Sequence, residues 1–352
     1  MTNHYSDSAP IKWWAALGVF SLFCLFYMLT KWVLSGQAVP IAPNFPLTEG
    51  HIRHQNILHG LEIIGMIVAV WMVYQWTLKP YFREKRLTTV GLMLLTMPLM
   101  MFQDPLTIAF QTWWQWTPLF HNLGGWAEHV PWAINPIAHR NPEPVFFIFF
   151  GYIWGFGGAA MIFLWIMRRW KARFSNTPTY GMILVGLICG AIFGFLFELG
   201  CIIVGQFWGT FGATAKYSIL PDSWQRFSII ECCIMGNIPG WIAISLYFVN
   251  DKGETFVERG VDKLKISHSS KGVLRFFAVL ALVQMVMFLN YTVPFTTFGL
   301  HADKYPADIP VHILNKSCGE GSDYHCPEPG LPIMTKGPGA YIITPDKKLI
   351  QK

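Results

Sequence analysis

Five carboxylic acids stand near the ends of long apolar runs in a chain of which only 13% is charged: Glu62, Asp104, Glu143, Glu198 and Glu231. An ionisable side chain inside an apolar span costs roughly 3 kcal/mol on insertion scales and usually marks a function or a pathway. The chemistry open to such a group is acid–base work. A carboxyl withdrawn from water holds its proton to higher pH and becomes a competent general acid, and a better hydrogen-bonded carboxylate beside it serves as base. That pairing suits acid-initiated cyclisation or dehydration of a lipophilic substrate. The competing reading makes each acid an interfacial residue or a structural hydrogen-bond partner.

The elements that must carry these acids are apolar helices. Of 352 residues, 53% are hydrophobic, and about 20 apolar residues cross a hydrocarbon core of roughly 30 Å. Seven such runs occur, at about 13–34, 57–78, 88–110, 145–167, 179–207, 228–250 and 273–292. The expected fold is therefore all-α, a polytopic membrane helical bundle of about seven transmembrane helices. The first run is too long for a signal-peptide core and is taken as a retained span, with a cleaved signal as the alternative. Residues 1–292 form the bundle, 104–144 an outer loop roofing the site, and 293–352 an extracytoplasmic Pro-rich tail.

Orientation follows the basic residues. Lys79, Arg83, Lys85 and Arg86, then Arg168, Arg169, Lys171 and Arg173, then Lys252, Arg259, Lys263, Lys265, Lys271 and Arg275 fill alternate loops. Those loops are expected to be cytoplasmic, which puts the N-terminus inside and the C-terminus outside. All five acids then lie at the outer level, with no buried acid expected at the cytoplasmic end. The net charge of +6 records this topology, and no nucleic-acid partner is read from it.

Small residues at intervals of four, Gly151, Gly155 and Ala159 in the fourth run and Gly186, Gly190 and Gly194 in the fifth, predict close helix approach, with Glu198 continuing the second stripe into the bundle. Pro239 and Gly240 predict a kink in the sixth run. Asp104-Pro105 has a second reading, as the N-cap and first residue of a short helix from Leu106 to Trp116.

Around the acids, His59 lies three residues from Glu62 and hence on the same helical face. His129 and Glu62 are candidates to orient the acids, Trp126 and Trp132 to shape a cavity, and Arg140 to hold a substrate oxygen, with Glu231 and Asn122 as further substrate-binding candidates. His51, His54, His59, His121, His129 and His139 gather in outer segments, but their spacing fixes no ligand number or geometry. No metal and no cofactor is expected. Cys24, Cys189, Cys201, Cys232 and Cys233 fall in spans as packing residues, whereas Cys318 and Cys326 in an outer tail can form a disulfide, a metal pair with His312 or His325 being the rival.

Gln103-Asp104-Pro105 closing the third run, the turn Asn122-Leu-Gly-Gly-Trp126, Val130-Pro131-Trp132, and Glu143-Pro144 opening the fourth run together resemble the AveC-type spirocyclase family. The resemblance is strongest over about 100–165 and covers the core but not the tail. The family's Pro-Gly-Trp stands here as Pro131-Trp132. The resemblance implies a polytopic bacterial membrane enzyme that closes a dihydroxy ketone into a spiroketal with loss of water, one member being also a dehydratase. Asp104 and Glu143 are the positions that match the family's acidic motifs.

The reading is thus an integral protein of a bacterial inner (plasma) membrane, a cyclase or dehydratase with Asp104, Glu143 and Glu198 as acid and base candidates. It would act from the extracytoplasmic side on a lipid-like polyketide or isoprenoid among membrane lipids. Two alternatives stand beside it. One is a heptahelical terpene cyclase, and the other a non-catalytic subunit that binds a lipid or a membrane protein partner.

Overall fold

The computed structural model describes residues 10–327 together with the backbone of 341–343 and 349–351. Among these residues the architecture is helical, with seven helices long and apolar enough to cross a membrane, the mark of a membrane protein. They are α1 (Pro10–Leu34), α2 (Glu49–Glu84), α3 (Thr89–Ile108), α4 (Val145–Arg173), α5 (Thr179–Val204), α6 (Ile229–Tyr247) and α7 (His268–Leu300). α2 starts well before the apolar run does. Thr48 caps it, accepting from the His51 amide at 3.3 Å while the His51 ring accepts from the Thr48 amide, so His51 and His54 lie on the helix and not in the preceding segment. α7 runs on past Thr292 to Leu300.

The two small-residue stripes behave differently. On α5 a Cβ at Gly194 would stand 1.9 Å from the Cys232 carbonyl oxygen, and one at Gly190 would stand 2.7 Å from that of Gly236. The backbones of α5 and α6 therefore touch, as the spacing predicts. On α4 a Cβ at Gly151 or Gly155 would meet nothing within 4 Å. Those two glycines do not bring helices together; they face open space.

α3 is α-helical only over Thr89–Thr96 and then tightens into a 3-10 helix, Met97–Ile108, with Pro98 at its start and Pro105 within it. Proline removes one backbone donor and crowds the preceding turn, so the two prolines account for the change of pitch. Asp104 sits inside this tightened segment, and no helix runs from Leu106 to Trp116. Four other long helices contain single π-helical turns: Tyr74–Leu78 in α2, Tyr152–Gly157 in α4, Leu199–Val204 in α5 directly after Glu198, and Phe288–Thr292 in α7. Such turns rotate the following side chains relative to the helix before them and occur often at functional sites.

Much of the 109–144 loop is buried despite its polarity, with His121, Pro131 and Trp132 exposed. Trp113 and Trp126 are fully enclosed, and Trp126 Nε1 donates to the Phe102 carbonyl at 2.8 Å. The tail lies over this loop. Gln115 Nε2 donates to the Ile313 carbonyl at 3.0 Å and Thr117 Oγ1 to that of His312 at 2.7 Å, and Cys318 and Cys326 are joined by a disulfide.

Candidate active site

Two tryptophans from distant loops organise the site. Strand β1 (Gln115–Trp116) is one of a set of two-residue strands, with β2 (Leu123–Gly124), β3 (Pro142–Glu143) and β4 (Trp208–Gly209) following it in the chain. β1 pairs antiparallel with β4, Trp116 directly opposite Trp208, and the two rings meet edge to face with centroids 4.6 Å apart. Each indole then donates to a different acid. Trp208 Nε1 reaches Glu198 Oε2 at 3.1 Å, and Trp116 Nε1 reaches Asp104 Oδ2 at 3.4 Å. A carboxyl from α3 and one from α5 are thereby tied to neighbouring rings. Asp104 Oδ1 accepts a stronger bond from the Tyr152 hydroxyl on α4 at 2.8 Å, and the Tyr291 hydroxyl on α7 also interacts with Asp104.

Asp104 and Glu198 line one cavity. Its other walls are mainly aromatic, with Trp114, Trp116, Phe147, Tyr152, Trp208 and Tyr291 prominent, and Gly151 and Gly155 leave part of one side without side chains. The cavity volume is about 80 Å³, where a single water needs roughly 10–15 Å³. The space is therefore not filled by the protein's own side chains. Among the described residues no Lys or Arg pairs with either acid.

The remaining sequence-derived candidates are placed around this centre or away from it. Glu143 is fully buried behind Asp104. β2 pairs with β3, Leu123 opposite Glu143, and Asn141 Nδ2 donates to Glu143 Oε1 at 2.6 Å while Asn141 Oδ1 accepts from the Trp116 amide at 3.2 Å. Glu143 Oε2 is buried without a hydrogen bond. Burial first, and the neighbouring Asp104 charge second, push the Glu143 carboxyl well above the usual carboxylate range. Glu231 is buried within electrostatic reach of Glu198 and Arg226.

Glu62 lies outside the cavity lining and bonds to His121 Nδ1 at 2.6 Å. His129 Nε2 contacts Gln37 Oε1 at 2.8 Å. Trp126 packs against Trp32 at 5.1 Å, and Trp132 is 56% exposed. Arg140 lies over the Tyr324 ring at 4.9 Å, and Asn122 braces the 41–42 segment through the Ile41 amide at 2.9 Å. The structure thus brings Asp104 and Glu198 together on one cavity with Glu143 beside them. It does not bring His129, Glu62, Trp126, Trp132, Arg140 or Asn122 to that cavity.

The opposite end of the bundle corrects one expectation, because Glu258 and Glu254 are buried there. Glu258, however, is fully engaged. Arg275 Nε donates to its Oε1 at 2.8 Å, and Thr89 Oγ1 and the Thr255 amide each donate to its Oε2 at 2.9 Å. Burial alone does not separate Glu258 from Asp104 and Glu198; its Arg275 partner does.

Sequence reasoning passed over Tyr152, Tyr291 and Trp208. Tyr152 and Tyr291 lie in apolar runs, where a hydroxyl needs a partner when buried, and that demand is the signal that could have singled them out. Trp208 carries no such signal, because only the β1–β4 pairing brings it to Trp116. The motif Gln103-Asp104-Pro105 divides its work. Gln103 Nε2 donates to Gln284 Oε1 at 2.5 Å and Gln103 Oε1 accepts from Thr292 Oγ1 at 2.7 Å, which braces α3 against α7 and holds Asp104 toward the cavity.

Neither curated proteins nor solved structures give a match to this chain. A family model does: the one described as Spirocyclase AveC-like matches residues 84–313. It extends well beyond the motif-bearing stretch, taking in α3 to α7 and part of the tail while leaving out α1 and nearly all of α2. Asp104, Glu143, Glu198, Tyr152, Trp208 and Tyr291 all fall within it. On a match that spans well over half of its length, the chain belongs to the AveC-like spirocyclase family.

Proposed function

We propose that the chain is a membrane cyclase that closes a lipophilic dihydroxy ketone, of polyketide or isoprenoid type, into a spiroketal-like ring with loss of water. The observation that carries this reading is the pair of cation-free carboxyls, Asp104 and Glu198, on one aromatic cavity. Glu198 has a donor on Oε2 alone, which leaves Oε1 to deliver a proton to the hydroxyl of a bound hemiketal. The C–O bond breaks, water departs, and an oxocarbenium ion remains. The faces of Trp114, Trp116 and Trp208 attract a cation, and the Asp104 carboxylate, oriented by Tyr152, opposes its charge. The second substrate hydroxyl then attacks the cationic carbon, a new C–O bond forms, and Asp104 takes the released proton. Return of that proton to Glu198 through water resets the site. Glu143, keeping its own proton, spares Asp104 a like-charged neighbour.

The basic loops support placing this cavity toward the extracytoplasmic side of the membrane, and the open flank at Gly151 and Gly155 supports entry of the substrate from lipid. The test is conversion of a synthetic dihydroxy ketone by the protein in lipid nanodiscs, followed as loss of one water by mass spectrometry. Asp104→Asn and Glu198→Gln should each lower the rate about 100-fold or more, the lower range for general acid–base groups. Full conversion by either variant would remove the basis of the assignment. Absence of turnover in the wild type, joined to copurification with another membrane chain, would favour an accessory subunit.

A further inference from the structure

A second cluster stands apart from the cavity, where α2 meets the outer loop. His59 and Glu62 lie one turn apart on α2, and His121 comes from the loop between α3 and α4. One ligand atom from each of the three falls within 4.8 Å of the others. Glu62 is 6% exposed, its Oε2 bonds to His121 Nδ1 at 2.6 Å, and its Oε1 is buried with no hydrogen-bond partner. A buried carboxylate oxygen left without a partner is costly, and here it lies beside two imidazoles. No Lys or Arg pairs with Glu62 among the described residues.

We propose that His59, Glu62 and His121 bind a divalent transition-metal ion of the zinc type. Two imidazoles and one carboxylate suit such an ion, with Zn–N near 2.0–2.1 Å and Zn–O near 2.0–2.2 Å, and leave a fourth position for water. The His59 and His121 rings are stacked, with centroids 3.7 Å apart and planes at 21°. Nearly parallel rings cannot both direct a nitrogen lone pair in plane at one ion. Loading therefore requires one ring to turn, and His121, whose side chain is 63% exposed, is the one with room to do so.

The sequence reading found no metal because His59 and Glu62 are 62 and 59 residues from His121, so no spacing motif links them. Nor is the site a property of the matched family region, which begins at residue 84 and so omits two of the three ligands. Its consequence is a clip between α2 and the roof of the cavity. Phe120, next to His121, packs against Phe147 at 4.9 Å and Trp116 at 6.0 Å, both of which line the cavity. Holding His121 on α2 steadies that wall.

The experiment uses the full-length protein without a polyhistidine tag, in nanodiscs, loaded with zinc and dialysed against metal-free buffer. Elemental analysis should find about one zinc per chain in the wild type and in Asp104→Asn, which separates this site from the catalytic reading. Glu62→Gln and His121→Ala should each weaken zinc binding at least tenfold, and cobalt substituted into the wild type should give the visible absorption of a low-coordinate nitrogen–oxygen site. Wild-type protein that retains no zinc above a dialysis blank would overturn the proposal. So would zinc retained undiminished by a folded Glu62→Gln, His121→Ala double variant, and the cluster would then be a charge-assisted Glu–His pair with a stacked ring.

Discussion

Replacing Tyr152 by phenylalanine tests whether Asp104 acts as an oriented carboxylate. The change removes the hydroxyl that donates to Asp104 Oδ1 at 2.8 Å and leaves the ring, which packs against Phe156 at 5.3 Å. Of the other groups on Asp104, Trp116 Nε1 stands at 3.4 Å and is too long to compensate, and the Tyr291 hydroxyl is left as it is by the substitution. A hydrogen bond to a charged group contributes about 1.5–3 kcal/mol, and each 1.36 kcal/mol is tenfold in rate. If that bond holds the carboxylate in the transition state, single-turnover cyclisation should slow by about 10- to 150-fold. The thermal midpoint should change little, since the packing survives. Trp116→Phe should slow the reaction by less, because its bond is longer. A Tyr152→Phe rate within twofold of wild type, beside an inactive Asp104→Asn, would refute the idea that Tyr152 sets the carboxylate.

Glu143→Gln should retain activity within about threefold, because the amide oxygen can accept from Asn141 as the protonated acid does, whereas loss equal to that of Asp104→Asn would make Glu143 a proton donor in its own right. Gly194→Ala should destabilise the α5–α6 contact by about 1–3 kcal/mol or more, the usual cost of overpacking, since its Cβ would strike the Cys232 carbonyl. Gly155→Leu has open space at its Cβ and should leave thermal stability intact while lowering turnover; unchanged turnover would show that the flank is not an entry route. Arg275→Met should cost about 3–5 kcal/mol by stranding the buried Glu258 carboxylate, read as a lowered unfolding midpoint. His312 is held down to about 4 by burial, with the charges of His51 and His54 adding to it. The unfolded chain therefore binds more protons between about pH 6.5 and 4, and stability rises with pH across that window. Hydrogen exchange in residues 305–317 should accelerate as pH falls from 6.5 to 4 and be steady above 6.5; a flat profile would separate His312 from the closure of the tail.

Helix number was legible because length and hydropathy decide it, and the fifth-run glycine stripe was legible because its spacing repeats at four. The same spacing misled at Gly151 and Gly155. Periodicity reports which face a residue occupies, not what that face meets, and here it meets a cavity. Asp104 and Glu198 could be singled out as charged residues in apolar surroundings, and the basic loops put them at one level, but the link between them could not be read. It depends on the Trp116–Trp208 pairing of two strands only two residues long, which have no sequence pattern to announce them. The metal-type cluster was hidden for a related reason: one turn of α2 supplies two ligands and a loop far along the chain supplies the third.

Depth alone gives a poor criterion for function in this protein. Glu258 is as buried as Asp104 or Glu198, yet its two oxygens take donors from Arg275, Thr89 and Thr255, and nothing about it is left to act on a substrate. Asp104 and Glu198 are held by neutral donors, one indole each and for Asp104 the hydroxyls of Tyr152 and Tyr291, which fix their direction without neutralising them. A neutral donor leaves the carboxyl free to gain or lose a proton as a substrate changes charge, whereas a guanidinium would pin it as the anion. The distinction assigns the two ends of the bundle different work: an ion pair that ties α7 to the loops at the basic end, and a pair of titratable acids facing an aromatic cavity at the other.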